Sequence, residues 1–276
     1  MKAFSQRHPL IVYFTLAYAI AWGGILLINF WNGFHVFYGQ SVLSNGIGKQ
    51  IMFIWFAMLA GPGIAGLFLK YIVDGKEGLK QMLSLLVRWK VSIQWYAAAL
   101  LIMPALVVLV IYSFVFISKN YSPGLMLGTG IGAGLIGGFF EEIGWTGFAL
   151  PKLQLRYTPF VAAIILGLIH AVWHLPADYL GGISFYKELY WLHFLLWIIA
   201  LTAFRVLAVW IYNHSNSLLL AQITHASFTG SQLIFGPPAV TATEAVLWYA
   251  VFTVILCIVA SIIILKDKKL FFQQLK

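Results

Sequence analysis

The chain has 276 residues, 62% of them hydrophobic and 17% aromatic but only 9% charged, where a soluble domain carries about a quarter charged residues. With a mean hydropathy of +0.91 and apolar runs longer than about 18 residues recurring along it, the composition excludes a soluble globular protein. The net charge of +9 does not point to nucleic acid, because the basic residues sit at the ends of apolar runs, where membrane orientation needs them.

Eight apolar segments follow one another at 9–30, 51–73, 92–117, 125–149, 158–177, 189–213, 215–233 and 244–265. They predict an all-α fold: a polytopic membrane helix bundle of about eight transmembrane helices, in one membrane domain over residues 1–276. Lys2 and Arg7 precede the first segment, which runs into Trp31 and Asn32 rather than a small-residue cleavage site. It reads as a retained span. Lysine and arginine counts set the orientation. With the N-terminus inside, Lys2, Arg7, Lys70, Lys76, Lys80, Arg88, Lys90, Lys152, Arg156, Lys266, Lys268, Lys269 and Lys276 fall on one side. Only Lys49, Lys119 and Lys187 fall on the other, thirteen against three. Both termini are therefore expected in the cytoplasm. Segment 77–91 is short, basic and amphipathic and suits an interfacial helix, with extension of the neighbouring spans as the alternative. Gly130, Gly134 and Gly138 fall four apart, a face that lets helices approach closely. Pro62 is expected to kink the second span. The lone Cys257 forms no intrachain disulfide.

The fourth segment ends on two adjacent acids, Glu141 and Glu142. A carboxylate at membrane depth is costly, so the pair is a functional candidate unless the helix simply ends in solvent there. In the fifth segment His170 and His174 stand four apart, on one helical face, before Pro176. Two histidines so spaced can bind a metal or relay protons. In the seventh, His225 and Thr229 repeat the spacing, with Gln222 and Thr224 adding polarity; on its own His225 reads equally as a helix-packing donor. Together the set fits water activation by a glutamate general base with histidine assistance and an oxyanion donor. It fits equally a zinc site of two histidines and a carboxylate with an open position.

EEIGWTGFALPKL, from Glu141, resembles the first motif of the CAAX-protease and bacteriocin-processing family: two glutamates followed after three residues by an arginine. HAVWHLP resembles the second, whose last histidine is the functional one, and QITHASFT the third, a histidine followed four residues later usually by asparagine. The three occur in family order over residues 125–235. The resemblance implies an intramembrane endopeptidase of a bacterial cell membrane, cutting a membrane-associated or lipid-modified protein or peptide. Glu141 would activate water together with His174, beside Glu142. His225 and Thr229 would stabilise the oxyanion. If a metal is present, Glu141, His174 and His225 would hold it; zinc stays open, with the metal-free mechanism favoured for the family. Prenylated CAAX substrates are a family expectation that nothing in the chain encodes.

Two positions depart from the pattern. Thr146 stands in place of the arginine and Thr229 in place of the asparagine. An arginine at 146 would sit one turn from Glu142 and could pair with it. Arg205, the one basic residue inside a span, is the candidate to supply that charge, with snorkelling to the interface as its alternative. His170, often phenylalanine in the family, is a candidate supporting partner. Two rivals to the enzyme remain: an inactive relative acting as an immunity or scaffold protein, and a transporter with a proton relay. The transporter reading lacks the internal repeat it calls for.

Overall fold

In a computed structural model of the chain, residues 2–31 and 49–274 are described; Asn32 and Lys276, named above, lie outside them. These residues form α-helices with short 3-10 and π segments and no strand. The expected all-α bundle is borne out. In chain order the helices are α1 (Lys2–Arg7), α2 (Pro9–Trp31), α3 (Lys49–Leu86), α4 (Ile93–Val115), α5 (Leu127–Gly144), α6 (Leu150–Gln154), α7 (Pro159–Trp173), α8 (Leu175–Tyr186), α9 (Tyr190–Ser215), α10 (Leu218–Phe235), α11 (Ala242–Lys266) and α12 (Lys268–Phe272).

Five stretches are long and apolar enough to cross a membrane: α2, α3, α4, α8 run together with α9, and α11. The protein is an integral membrane protein. The remaining three sequence segments became α5, α7 and α10, which are shorter or more polar and carry the acids and histidines. Many large apolar side chains, among them Leu27, Phe30, Ile93 and Phe116, point outward, as a lipid-facing surface requires.

The helices are set by small residues and by side chains that reach across to backbone. On α5 a Cβ added at Gly134 would come 2.5 Å from the Ala226 carbonyl oxygen of α10, and one at Gly138 2.5 Å from that of Gln222. Only glycine permits this approach. Gln222 then fixes the register by donating through Nε2 to the Phe139 carbonyl at 3.1 Å. A second close approach joins α3 to α5, where Gly66 meets the Gly144 backbone. Buried Ser217 caps α10 by accepting from the Leu220 N–H, and its hydroxyl donates to the Arg88 carbonyl at 2.7 Å.

Two expectations about α3 meet different outcomes. Pro62 lies inside the helix, but the non-helical backbone falls at Gly75, with φ of 72°. A positive φ is nearly free for glycine and strained for other residues, so the chain breaks there. The basic segment expected as a short helix over 77–91 is helical after this break, but it stops at Leu86 and turns at 87–92.

Candidate active site

Glu141 and Glu142 lie in the last turn of α5. The chain then passes into a π-helix, Trp145–Ala149. Such one-turn insertions shift the helix register and concentrate at functional sites. Here the turn brings the Thr146 hydroxyl onto Glu142 Oε2, to which it donates. α7 ends at Trp173 because Pro176 has no N–H to continue the helical ladder, and His174 becomes the junction with α8. Two side chains of α2 hold this helix end: Trp22 Nε1 donates to the Trp173 carbonyl at 2.9 Å, and the Tyr18 hydroxyl to that of Ile169.

Four helices bring the charged and polar groups together. Arg205 of α9 is fully buried, as is Glu142. Its Nη1 donates to Glu142 Oε2 and its Nη2 to Oε1, each at 2.9 Å. This bidentate form is the strongest geometry available to a guanidinium and a carboxylate. Nη2 also reaches His170 Nδ1 at 2.7 Å, and His170 Nε2 lies 2.7 Å from Glu141 Oε2. On α10, His225 places Nδ1 2.7 Å from Glu142 Oε1 and Nε2 3.8 Å from Glu141 Oε2. With Glu142 an ionised acceptor paired to Arg205, the hydrogen on His225 Nδ1 points to it.

The carboxylates are thus divided in role by their partners. Glu142 takes four hydrogen bonds, from Arg205 twice, Thr146 and His225. Its lone pairs are used up, so it acts as a fixed charge. Glu141 takes one, from His170 to Oε2, and no other reaches it among the described residues. The Trp145 indole N–H approaches Glu141 without reaching hydrogen-bond geometry. Glu141 is therefore the carboxylate with capacity to accept a proton.

The His174 side chain makes no hydrogen bond among the described residues; its ring packs on those of His170, Trp173 and Trp197, with centroids 5.3, 4.8 and 5.1 Å away. Trp197 Nε1 next to it, and beyond Trp197 the Tyr249 hydroxyl and His193 Nδ1, are buried with no hydrogen-bond partner. Of the residues singled out from sequence, Glu141, Glu142, Thr146, His170, His174, Arg205 and His225 converge. Thr229 lies half-buried one turn beyond His225 and makes none of the site's hydrogen bonds among the described residues.

Glu141, His170 and His174 offer donor atoms within 4.8 Å of one another, a spacing that a metal ion could use. His170 does not fit as a ligand. A guanidinium cannot be deprotonated in a protein, so His170 Nδ1 must accept from Arg205 and Nε2 must carry the hydrogen directed at Glu141. Both nitrogens are committed. Of the set expected from sequence, Glu141 Oε1, the His174 ring nitrogens and His225 Nε2 are not taken by hydrogen bonds and remain as donors.

Tyr18 and Trp22 were not singled out from the sequence, although their spacing of four on the first span puts both on one helical face. Nothing in the sequence marked Tyr13, whose buried hydroxyl is pressed against Gly144.

The bundle and its centre define an intramembrane protein with a buried acid–histidine site assembled from separate helices. Residues 122–231, which hold most of that site, match the profile of the family described as type II CAAX prenyl endopeptidase Rce1-like. That segment contains the three motifs by which the chain resembles this family. It is also similar to a CAAX prenyl protease 2 of Methanococcus maripaludis, 32% identical over 148 residues, or 51% of each chain. The chain thus spans about half the length of the curated relative it matches.

Proposed function

We propose that the protein is an intramembrane endopeptidase that hydrolyses a peptide bond in a membrane-associated or lipid-modified protein, CAAX-like in class. The observation that carries this reading is the unequal state of the two adjacent carboxylates, Glu142 saturated and Glu141 left with a free oxygen beside His174.

Glu141, assisted by His174, takes a proton from water. The resulting hydroxide attacks the substrate carbonyl carbon, and negative charge develops on the carbonyl oxygen. Collapse breaks the C–N bond as Glu141 returns the proton to the leaving nitrogen. His225, whose Nδ1–H is directed to Glu142, takes the oxyanion side of the centre, with the Thr229 hydroxyl one turn away as a donor. The unpartnered donors of Trp197, beside His174, and of Tyr249, which stacks on Trp197, would be satisfied by the backbone carbonyls of a bound peptide. Thirteen basic residues against three support cytoplasmic termini.

One observation favours a second reading, an inactive relative serving as an immunity or scaffold protein: Thr229 takes no part in the hydrogen-bonded centre. Comparison of membrane-protein termini between cells carrying wild type or Glu141→Ala at equal expression separates the two. New termini seen only with the wild type support the protease and name its substrate. Identical termini, with a phenotype that both versions rescue, support the scaffold.

A further inference from the structure

We propose that His170 is a positioning residue held in one tautomer by Arg205, and that this relay, rather than a metal ion, orients the general base Glu141. The inference rests on the protease reading for its kinetic consequence, not for its geometry.

The argument is one of hydrogen counting. The guanidinium of Arg205 has only N–H groups to offer. Nη2 spends one on Glu142 Oε1 at 2.9 Å and turns the other to His170 Nδ1 at 2.7 Å. A hydrogen on Nδ1 would set two donors face to face, which excludes both the imidazolium and the Nδ1–H tautomer. The remaining form carries its hydrogen on Nε2, 2.7 Å from Glu141 Oε2. The residue is fully buried. Arg205 therefore reaches Glu141 through His170 while holding Glu142 directly. One oxygen of Glu141 is fixed, the carboxylate plane is set, and Oε1 is left for the water. Trp145 packs on the imidazole with centroids 4.9 Å apart and limits its rotation.

A ligand histidine and a relay histidine respond differently to glutamine. The glutamine carbonyl can accept from Arg205 and its amide can donate to Glu141, so His170→Gln keeps both hydrogen bonds; His170→Phe loses both. The relay predicts kcat within about threefold of wild type for His170→Gln, and a fall of about 10- to 100-fold for His170→Phe with KM unchanged. A loss in His170→Gln as deep as in His170→Phe would overturn the proposal in favour of imidazole chemistry or metal ligation.

The second arm needs no substrate. Nitrogen-15 spectra of the full chain in nanodiscs, labelled at histidine, are assigned for His170 by comparison with His170→Gln. The relay predicts a protonated Nε2 and an unprotonated Nδ1. It also predicts loss of that single form when Glu142→Gln is combined with Arg205→Met, a pair that leaves no buried charge unpartnered. A wild-type Nδ1–H or imidazolium, or a tautomer indifferent to the double variant, would overturn it. An inactive wild type with the expected spectrum would instead count against the protease reading alone.

Discussion

Arg205 and Glu142, 63 residues apart, form a two-pronged ion pair with no exposure on either side chain. The pair joins α9 to α5 and sets the charge against which every other polar group of the centre is arranged. Glu142 also has the π-helical Thr146 one turn on, at the position where the family's arginine is expected, so here the positive charge enters from another helix.

Removing one partner of a buried pair leaves the other charge uncompensated, at a cost of about 3–5 kcal/mol. Arg205→Leu should accordingly lower the thermal midpoint in detergent by many degrees and abolish activity. Adding Thr146→Arg should recover part of both, because an arginine one turn after Glu142 can reach it. Thermal unfolding of the single and double variants, read by tryptophan fluorescence, checks this. A double variant no better than Arg205→Leu would show that the helix carrying the charge matters as much as the charge.

The glycines of α5 make a graded prediction. A Cβ at Gly138 would fall 2.5 Å from the Gln222 carbonyl, whereas nothing lies within 4 Å of one at Gly128. Gly138→Ala should cost about 1–3 kcal/mol, as overpacking does, and should reduce activity by parting the glutamates from His225. Gly128→Ala should be silent. Paired unfolding and activity measurements test the contrast; equal effects would show that α5 and α10 separate without strain.

The bundle and the chemistry-bearing segments were legible from composition and spacing, because lipid exposure demands long apolar runs and intramembrane acids and histidines stand out against them. What lay beyond the sequence is rotational. The position of Arg205 inside a span was evident, but whether it snorkelled outward or faced Glu142 depends on the rotation of α9, which no local pattern encodes. The π-helix after Glu142 has no sequence signature of its own. A kink of α3 was expected at Pro62, whose carbonyl lies against Gly144; the non-helical backbone falls instead at Gly75, where glycine accepts the positive φ. The nitrogen of His170 that carries hydrogen follows only from its partners.

Outside the spans, Asp267 links the end of α11 to α9. Burial pushes its carboxyl up, but hydrogen bonds from His214 and Trp210 more than offset this and hold it below the ordinary carboxylate value. A depressed carboxyl stabilises the fold above its unfolded pKa, and the stabilisation is lost as pH falls through the folded one. Wild type should therefore unfold at a higher temperature than Asp267→Asn at neutral pH, with the gap closing on acidification below about pH 4. A gap that persists unchanged in acid would assign the effect to packing.

The Tyr249 hydroxyl gives a prediction in which stability and function move apart. It is buried, only 4% of the residue being exposed, and has no hydrogen-bond partner. An unsatisfied buried hydroxyl is unfavourable, so Tyr249→Phe should leave the unfolding temperature unchanged or raise it. If that hydroxyl serves the backbone of a bound peptide, the same change should raise KM by about tenfold, the value of one hydrogen bond, with kcat kept. Cleavage kinetics on the substrate named by the terminal comparison decide the matter. A variant with unaltered KM would remove Tyr249 from the substrate path, and a fall in kcat alone would move its hydroxyl from binding to the reacting atoms.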